Sequence, residues 1–203
     1  MNNLDLLIQQ EFAISAAPKF EGFEPLARTG QRYVLGRQGL KLEIKRPWLH
    51  AVVSMHEGPV RLPLPYGEAP ADGITLLCGF IPRGLAERFL AQARQALPNE
   101  TAAWITWDEN TSEFAYVPLT AQSSSPGHVT YEVPSLPPGM HLVLDLHSHG
   151  AHPAFFSSQD DKDDYGFVKL AAVLGNVDQD EPTMAARACL LGATCAVERL
   201  VLA

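Results

Sequence analysis

Positive charge is scarce in this chain. Fifteen lysines and arginines stand against 23 aspartates and glutamates, a formal net charge of −8 over 203 residues. The clustered cations that grip a phosphate backbone are therefore missing, and nucleic acid is excluded as a partner class. Cysteine is equally thin: Cys78, Cys189 and Cys195 form neither a CxxC motif nor a paired framework, which excludes a disulfide scaffold and leaves them as buried thiols. No apolar run approaches the length of a membrane span. The opening MNNLDLLIQQEF has no basic segment ahead of a hydrophobic stretch, so neither a membrane nor a secreted protein is expected, and the expected compartment is the cytoplasm. Internal repeats and low-complexity tracts are lacking too.

What is present is an ordinary globular composition, 46% apolar and 19% charged, in a chain long enough for one domain with a sizeable extension. RYVLG, LKLEIK and LHAVVSM read as short strands, the first two joined by a Gln38-Gly39 turn. Turn residues thicken in PLPYGEAPADG, residues 63 to 73, and mark the expected boundary between a β-rich region 1–73, of no assigned role, and a second domain 74–203. That second domain opens with the strand ITLLCGF. A helix follows from Pro82, in which Leu85, Phe89, Leu90, Ala93 and Leu97 share one face, until Pro98-Asn99 ends it. TAAWITW and EFAYVPL read as a hairpin turned at Asp108-Glu109-Asn110, and Trp104 and Trp107 point to opposite faces of it. SSSPG is a separator, VTYEV and HLVLDLHSH are strands, and the apolar segments FVKLAAVLGNV and ARACLLGATCAVERLVL supply two or three more. The expected class is α/β (α+β): a mixed, largely antiparallel sheet flanked by helices.

The chemistry-bearing stretch is HLVLDLHSHGAHPAFFSSQDDKDD, residues 141 to 164. Alternation along a strand places Leu142, Leu144 and Leu146 on one face and Val143, Asp145, His147 and His149 on the other. Two imidazoles at i and i+2 are close enough to share one metal ion, and Asp160 completes a His2Asp set with an open position. Two plainer readings stand beside this one: an HxH pair on a solvated strand, and Ser157-x-x-Asp160 as a helix-start signal. A helix start is compatible with a ligand, because it fixes where Asp160 sits.

At these residues the chain resembles the JAMM or MPN-plus zinc metalloproteases. Their pattern is an upstream Glu, H-x-H, seven residues, then S-x-x-D, matched by Glu100 after the LPNE turn, His147-Ser148-His149 and Ser157-Ser158-Gln159-Asp160. The resemblance covers roughly residues 80 to 180. HSHG, PAFFSSQDDKDD and LGNVDQDEPT are similar to the PRTRC system protein A family of bacterial mobile-element gene clusters. Together these resemblances imply a JAMM/MPN fold of the cytidine-deaminase-like type and Zn2+ held by His147, His149 and Asp160. They imply Glu100 as general base and Ser157 as oxyanion donor. The implied activity is hydrolysis of a peptide or isopeptide bond on a ubiquitin-like protein or peptide, with a ThiF-like activating protein as a further partner. A catalytically silent MPN scaffold and a zinc hydrolase of small amides are the rival expectations.

One departure is local: the family's Pro after the second histidine is Gly150 here, and Pro153 follows an extra His152. His152 reads as an exposed loop residue or as a further ligand or substrate contact. Asp145 reads as a solvated strand residue or as the carboxylate that orients a ligand histidine. Asp161, Asp163 and Asp164 read as a charged helix face, and Glu109 and Glu113 as solvated turn charges. An extended substrate tail is expected to lie beside the HSH strand, as peptides do on sheet edges.

Overall fold

The computed structural model describes residues 2–197 and divides into two compact units between Gly79 and Phe80. In the first unit α1 (Asn3–Glu11), β1 (Ala13–Ala16), β2 (Gly30–Gly36), β3 (Gly39–Arg46), β4 (Leu49–Ser54) and β5 (Gly73–Leu76) build a five-stranded sheet in the order β1-β2-β3-β4-β5. The division falls later than residue 73 because Gly73–Leu76 pairs antiparallel with β4, Leu76 opposite Leu49. The turn-rich segment before it is thus a connection inside the first unit. The helix α1 buries no residue: its short apolar stripe of Leu4, Leu7 and Ile8 stays exposed, and its start is fixed by a capping box between Asn2 and Asp5. A fully buried carboxylate, Glu43, organises the sheet by accepting from Leu26 N, Arg32 Nε and His50 Nε2.

The second unit contains α2 (Arg83–Ala96), β6 (Ala102–Asp108), β7 (Glu113–Pro118), β8 (Ala121–Ser125), β9 (His128–Tyr131), β10 (Met140–Ser148), α3 (Ser158–Asp164), β11 (Val168–Gly175), β12 (Thr183–Leu190) and β13 (Ala193–Ala196). Six strands form one sheet in the order β13-β12-β11-β10-β6-β7. Only β10 and β11 run parallel in it, and the crossover between them carries α3. This is the mixed, antiparallel-rich α+β arrangement that the element pattern implies. Phe89 and Ala93 of α2 are fully buried on the expected helix face, with Pro82 at the N-cap. Of the cysteines only Cys189 is buried; Cys78 and Cys195 are half-buried. The expected strand continuation through residues 198–202 lies outside the described residues.

Two local features depart from the sequence reading. SSSPG belongs to a two-stranded hairpin: its serines end β8, and Pro126-Gly127 turn the chain into β9. Its first strand, AQSSS, is exposed throughout and offers no apolar alternation to detect. In β10 the register shifts between Leu142 and Leu144: Leu142 faces Thr106, and Leu144 faces Ile105. Val143 is the extra residue of a bulge, so Leu142 turns onto the face of Asp145 and packs against Ala102, Trp104 and Leu119. The strict alternation expected for Leu142, Leu144 and Leu146 therefore holds only from residue 144 onward.

The loop after β10 is pressed against the end of β11. A Cβ added to Gly175 would overlap the backbone of His152, Pro153 and Ala154. Gly175→Ala must push that loop away, and we expect it to lower unfolding free energy by about 1–3 kcal/mol. The check is a lower urea midpoint at unchanged slope.

Candidate metal centre

Strand β10 is central, with β6 on one side and β11 on the other; its C-terminal end carries His147, and His149 follows directly after it. His147 Nε2 and His149 Nε2 are 3.3 Å apart, and His147 Nε2 lies 3.5 Å from Asp160 Oδ1. All three ligand atoms fall within 4.8 Å of one another. Two nitrogens at the ordinary zinc–imidazole distance of about 2.0–2.1 Å stand roughly 3.3–3.4 Å apart across a tetrahedral angle. The histidine pair meets that spacing, so the residues present fit a zinc ion by donor type and by geometry.

Protonation favours the same role. His149 Nδ1 is 3.2 Å from the Pro153 carbonyl; a carbonyl can only accept, so Nδ1 carries the proton and Nε2 is left with its lone pair. Burial holds His147 below the usual imidazole range, and the nearby His149 adds to this against the opposing pull of Asp160. Neutral imidazole is the form that binds metal. The ring of Phe155 stands edge-on to His149, centroids 4.5 Å apart.

Asp160 is placed by its helix start. Ser157 is the N-cap of α3, and the capping box is complete. Both the Ser157 amide and its hydroxyl donate to Asp160 Oδ2 at 2.6 Å, leaving Oδ1 toward His147. The helix-start and ligand readings of S-x-x-D are therefore one arrangement. In it, the hydroxyl proton of Ser157 is directed to Asp160 and not to open space.

Glu100 precedes β6 and is 8% exposed. The register that sets Ala102 opposite His147, extended by the Ser148 amide donating to Thr101 O at 3.0 Å, brings Glu100 level with His149. Burial, and then the Asp160 charge, raise its carboxyl to about 7. The hairpin holds its backbone: the Glu100 amide donates to Ser125 O, and Ser124 Oγ donates to Glu100 O. Glu100, His147, His149, Ser157 and Asp160 line one cavity of about 660 Å3, with β9 residues Val129, Thr130 and Tyr131 on its wall.

Asp145 lines the same cavity, yet its carboxylate takes Lys169 Nζ at 2.6 Å, and the contact that orients His149 is the Pro153 carbonyl. His152 is exposed and borders the cavity, outside the His147–His149–Asp160 group found among the described residues. Asp163 and Asp161 are exposed as expected of a charged face, but Asp164 is buried and receives Lys169, Arg187 and Cys189. Sequence reasoning missed it, although a signal was there: a lone Lys169 and a lone Arg187 inside apolar strands require a buried counter-charge. Gly150, where the family pattern has Pro, adopts φ +55°, a backbone conformation closed to proline. Its carbonyl accepts from Val177 N at 2.9 Å, which ties the turn after His149 to the residues that follow β11.

Comparison with known proteins places two family matches on the chain. Residues 82–190, more than half of it, match the model described as prokaryotic homologs of the JAB domain. Residues 2–77 match a domain of unknown function, DUF2016. No curated protein matches. Among solved structures, the solution structure of protein DSY2949 from Desulfitobacterium hafniense is 22% identical over 60% of this chain and 90% of its own, with a TM-score of 0.46.

Proposed function

The chain belongs to the family of prokaryotic homologs of the JAB domain, and on that premise we propose that it is a zinc-dependent hydrolase of peptide or isopeptide bonds. The observation that carries this reading is the convergence of His147, His149 and Asp160 ligand atoms within 4.8 Å, beside a buried Glu100 on the same cavity. His147, His149 and Asp160 would hold the zinc, which supplies Lewis acidity at neutral pH. Glu100 takes a proton from the attacking water and returns it to the departing amine, as a carboxyl poised near neutrality does well. Ser157 keeps Asp160 in place and, on rotating its hydroxyl, has a proton to offer the developing oxyanion.

The substrate we favour is an extended protein tail, such as the C-terminus of a ubiquitin-like protein or its conjugate. Such a tail cannot pair with the HSH strand as expected, because both edges of β10 are taken by β6 and β11. The strand that supports an alternative is β9, which pairs only with β8 among the described residues and borders the cavity. Peptide addition to its outer edge would bring a scissile carbonyl toward His147 and His149. No helix among the described residues is long and apolar enough to cross a membrane.

The test starts with metal analysis of the purified protein. We expect stoichiometric zinc in the wild type and its loss in His147→Ala and His149→Ala. Incubation with a ubiquitin-like protein carrying a short C-terminal peptide extension is then expected to yield the shortened mass. Wild-type protein without zinc would remove the hydrolase reading and leave the scaffold; zinc without cleavage of the protein substrate, but with cleavage of small acyl-amides, would move the substrate class.

A further inference from the structure

The helix that presents Asp160 has nothing apolar with which to dock. Its sequence is SQDDKDD, so hydrophobic burial, the usual means of holding a helix on a sheet, is unavailable to it. What holds it is charge. Arg187 Nε and Nη2 donate to Asp164 Oδ2 at 3.0 and 2.6 Å, and Arg187 Nη1 also pairs with Asp161. The same guanidinium lies over the Phe156 ring, 3.9 Å from its centroid. Lys169 Nζ bonds Asp164 Oδ1 at 2.8 Å and Asp145 Oδ2 at 2.6 Å.

These contacts bracket the ligand. Phe156 lies just before the N-cap, Asp161 immediately after Asp160, and Asp164 one turn further on. Across the sheet, Asp145 pairs with Ala171 and Ala171 with Arg187. Asp145, Ala171 and Arg187 are therefore a row on one face, the face that also carries His147 two residues along from Asp145. The chain of contacts Asp145–Lys169–Asp164–Arg187–Asp161 runs from the histidine strand to the aspartate helix. All but Asp161 are at least nine-tenths buried, where water screens them little.

We propose that Arg187 and Lys169 are positioning residues of the metal centre: they clamp α3 to the sheet and set Asp160 against His147 and His149. This rests on the metal reading above. Buried ion networks are poor stabilisers compared with apolar packing. A clamp of this kind instead specifies geometry, as partners behind metal ligands do, and their removal commonly lowers metal affinity about 10–100-fold.

The experiment is a titration of the metal-free full chain with Zn2+ against a chelating indicator, and with Co2+ followed by its visible spectrum, alongside urea unfolding. Arg187→Met is expected to weaken Zn2+ binding by about 10–100-fold and to alter the Co2+ bands. Asp161→Asn removes only the exposed arm and keeps the Arg187–Asp164 pair. It is expected to shift both readouts in the same direction by less, and it carries the test if Arg187→Met does not fold. Unchanged Zn2+ affinity and Co2+ spectrum in a folded variant, whatever its urea midpoint, would overturn the clamp while leaving the metal centre standing. A wild type that binds neither ion would overturn both.

Discussion

Glu100→Gln is expected to lower hydrolysis of an amide substrate by about 10²–10⁴-fold, the range that a positioned general acid–base contributes, while zinc content stays at the wild-type level. The substitution keeps size and shape, and the Glu100 hydrogen bonds to the hairpin run through its backbone, so the fold has no reason to change. What is lost is the ability to accept and return a proton. The site makes that ability specific to this carboxyl: burial, and then the Asp160 charge, raise it to about 7, whereas Glu109 and Glu113, the other glutamates near β6, are exposed. Turnover measured with zinc content on the same samples decides the matter. Activity that survives undiminished with zinc bound would remove Glu100 from the mechanism.

The second large effect is on stability. Asp164→Ala leaves Arg187 and Lys169 buried without their shared partner, and breaking a buried pair from one side costs about 3–5 kcal/mol. That is a large part of a domain's usual 5–15 kcal/mol, so urea unfolding should show a clearly lower midpoint. The wild type should also reveal this residue through pH. Burial acts to raise the Asp164 carboxyl, but hydrogen bonds from Lys169, Arg187 and Cys189, with the Lys169 charge, more than reverse it and hold it below the ordinary range. A carboxyl depressed on folding contributes stability that is full above its unfolded value, about 3.9. That contribution drains away as pH falls below that value and through the folded one. The acid limb of a stability–pH curve should therefore be steeper in the wild type than in Asp164→Ala. Equal limbs would mean that the network is not charged as drawn.

Much of the second unit was legible because its signals are periodic. The α2 stripe with Phe89 and Ala93 buried, the β6–β7 hairpin and the apolar β11 and β12 each repeat a pattern long enough to read. The features that escaped carry no such repetition. The hairpin strand AQSSS has no apolar face. α1 buries nothing. The bulge at Val143 is a single inserted residue, and the Leu142, Leu144, Leu146 alternation runs through it without a break. β5 joins the first sheet because a strand's partner is a tertiary fact: four residues, GITL, suit either sheet by pattern, and pairing with the edge of β4 places them.

The candidate site divides along the same line. Residue type and spacing offered the candidate donors, because H-x-H on a strand places two imidazoles on one side and S-x-x-D is a helix-start signal that sets a carboxylate in the first turn. They could not determine that Glu100 stands level with His149, since that follows from the β6–β10 register. Nor could spacing show that the Ser157 hydroxyl turns to Asp160, or that Asp145 takes Lys169 as its partner. Asp164 is the clearest case: in sequence it is one of several acidic residues in a polar run, and by position alone it belongs to solvent. Its burial was decided by Lys169 and Arg187 on two later strands, because a charge in a low-dielectric interior persists only where the folded chain brings its opposite within reach.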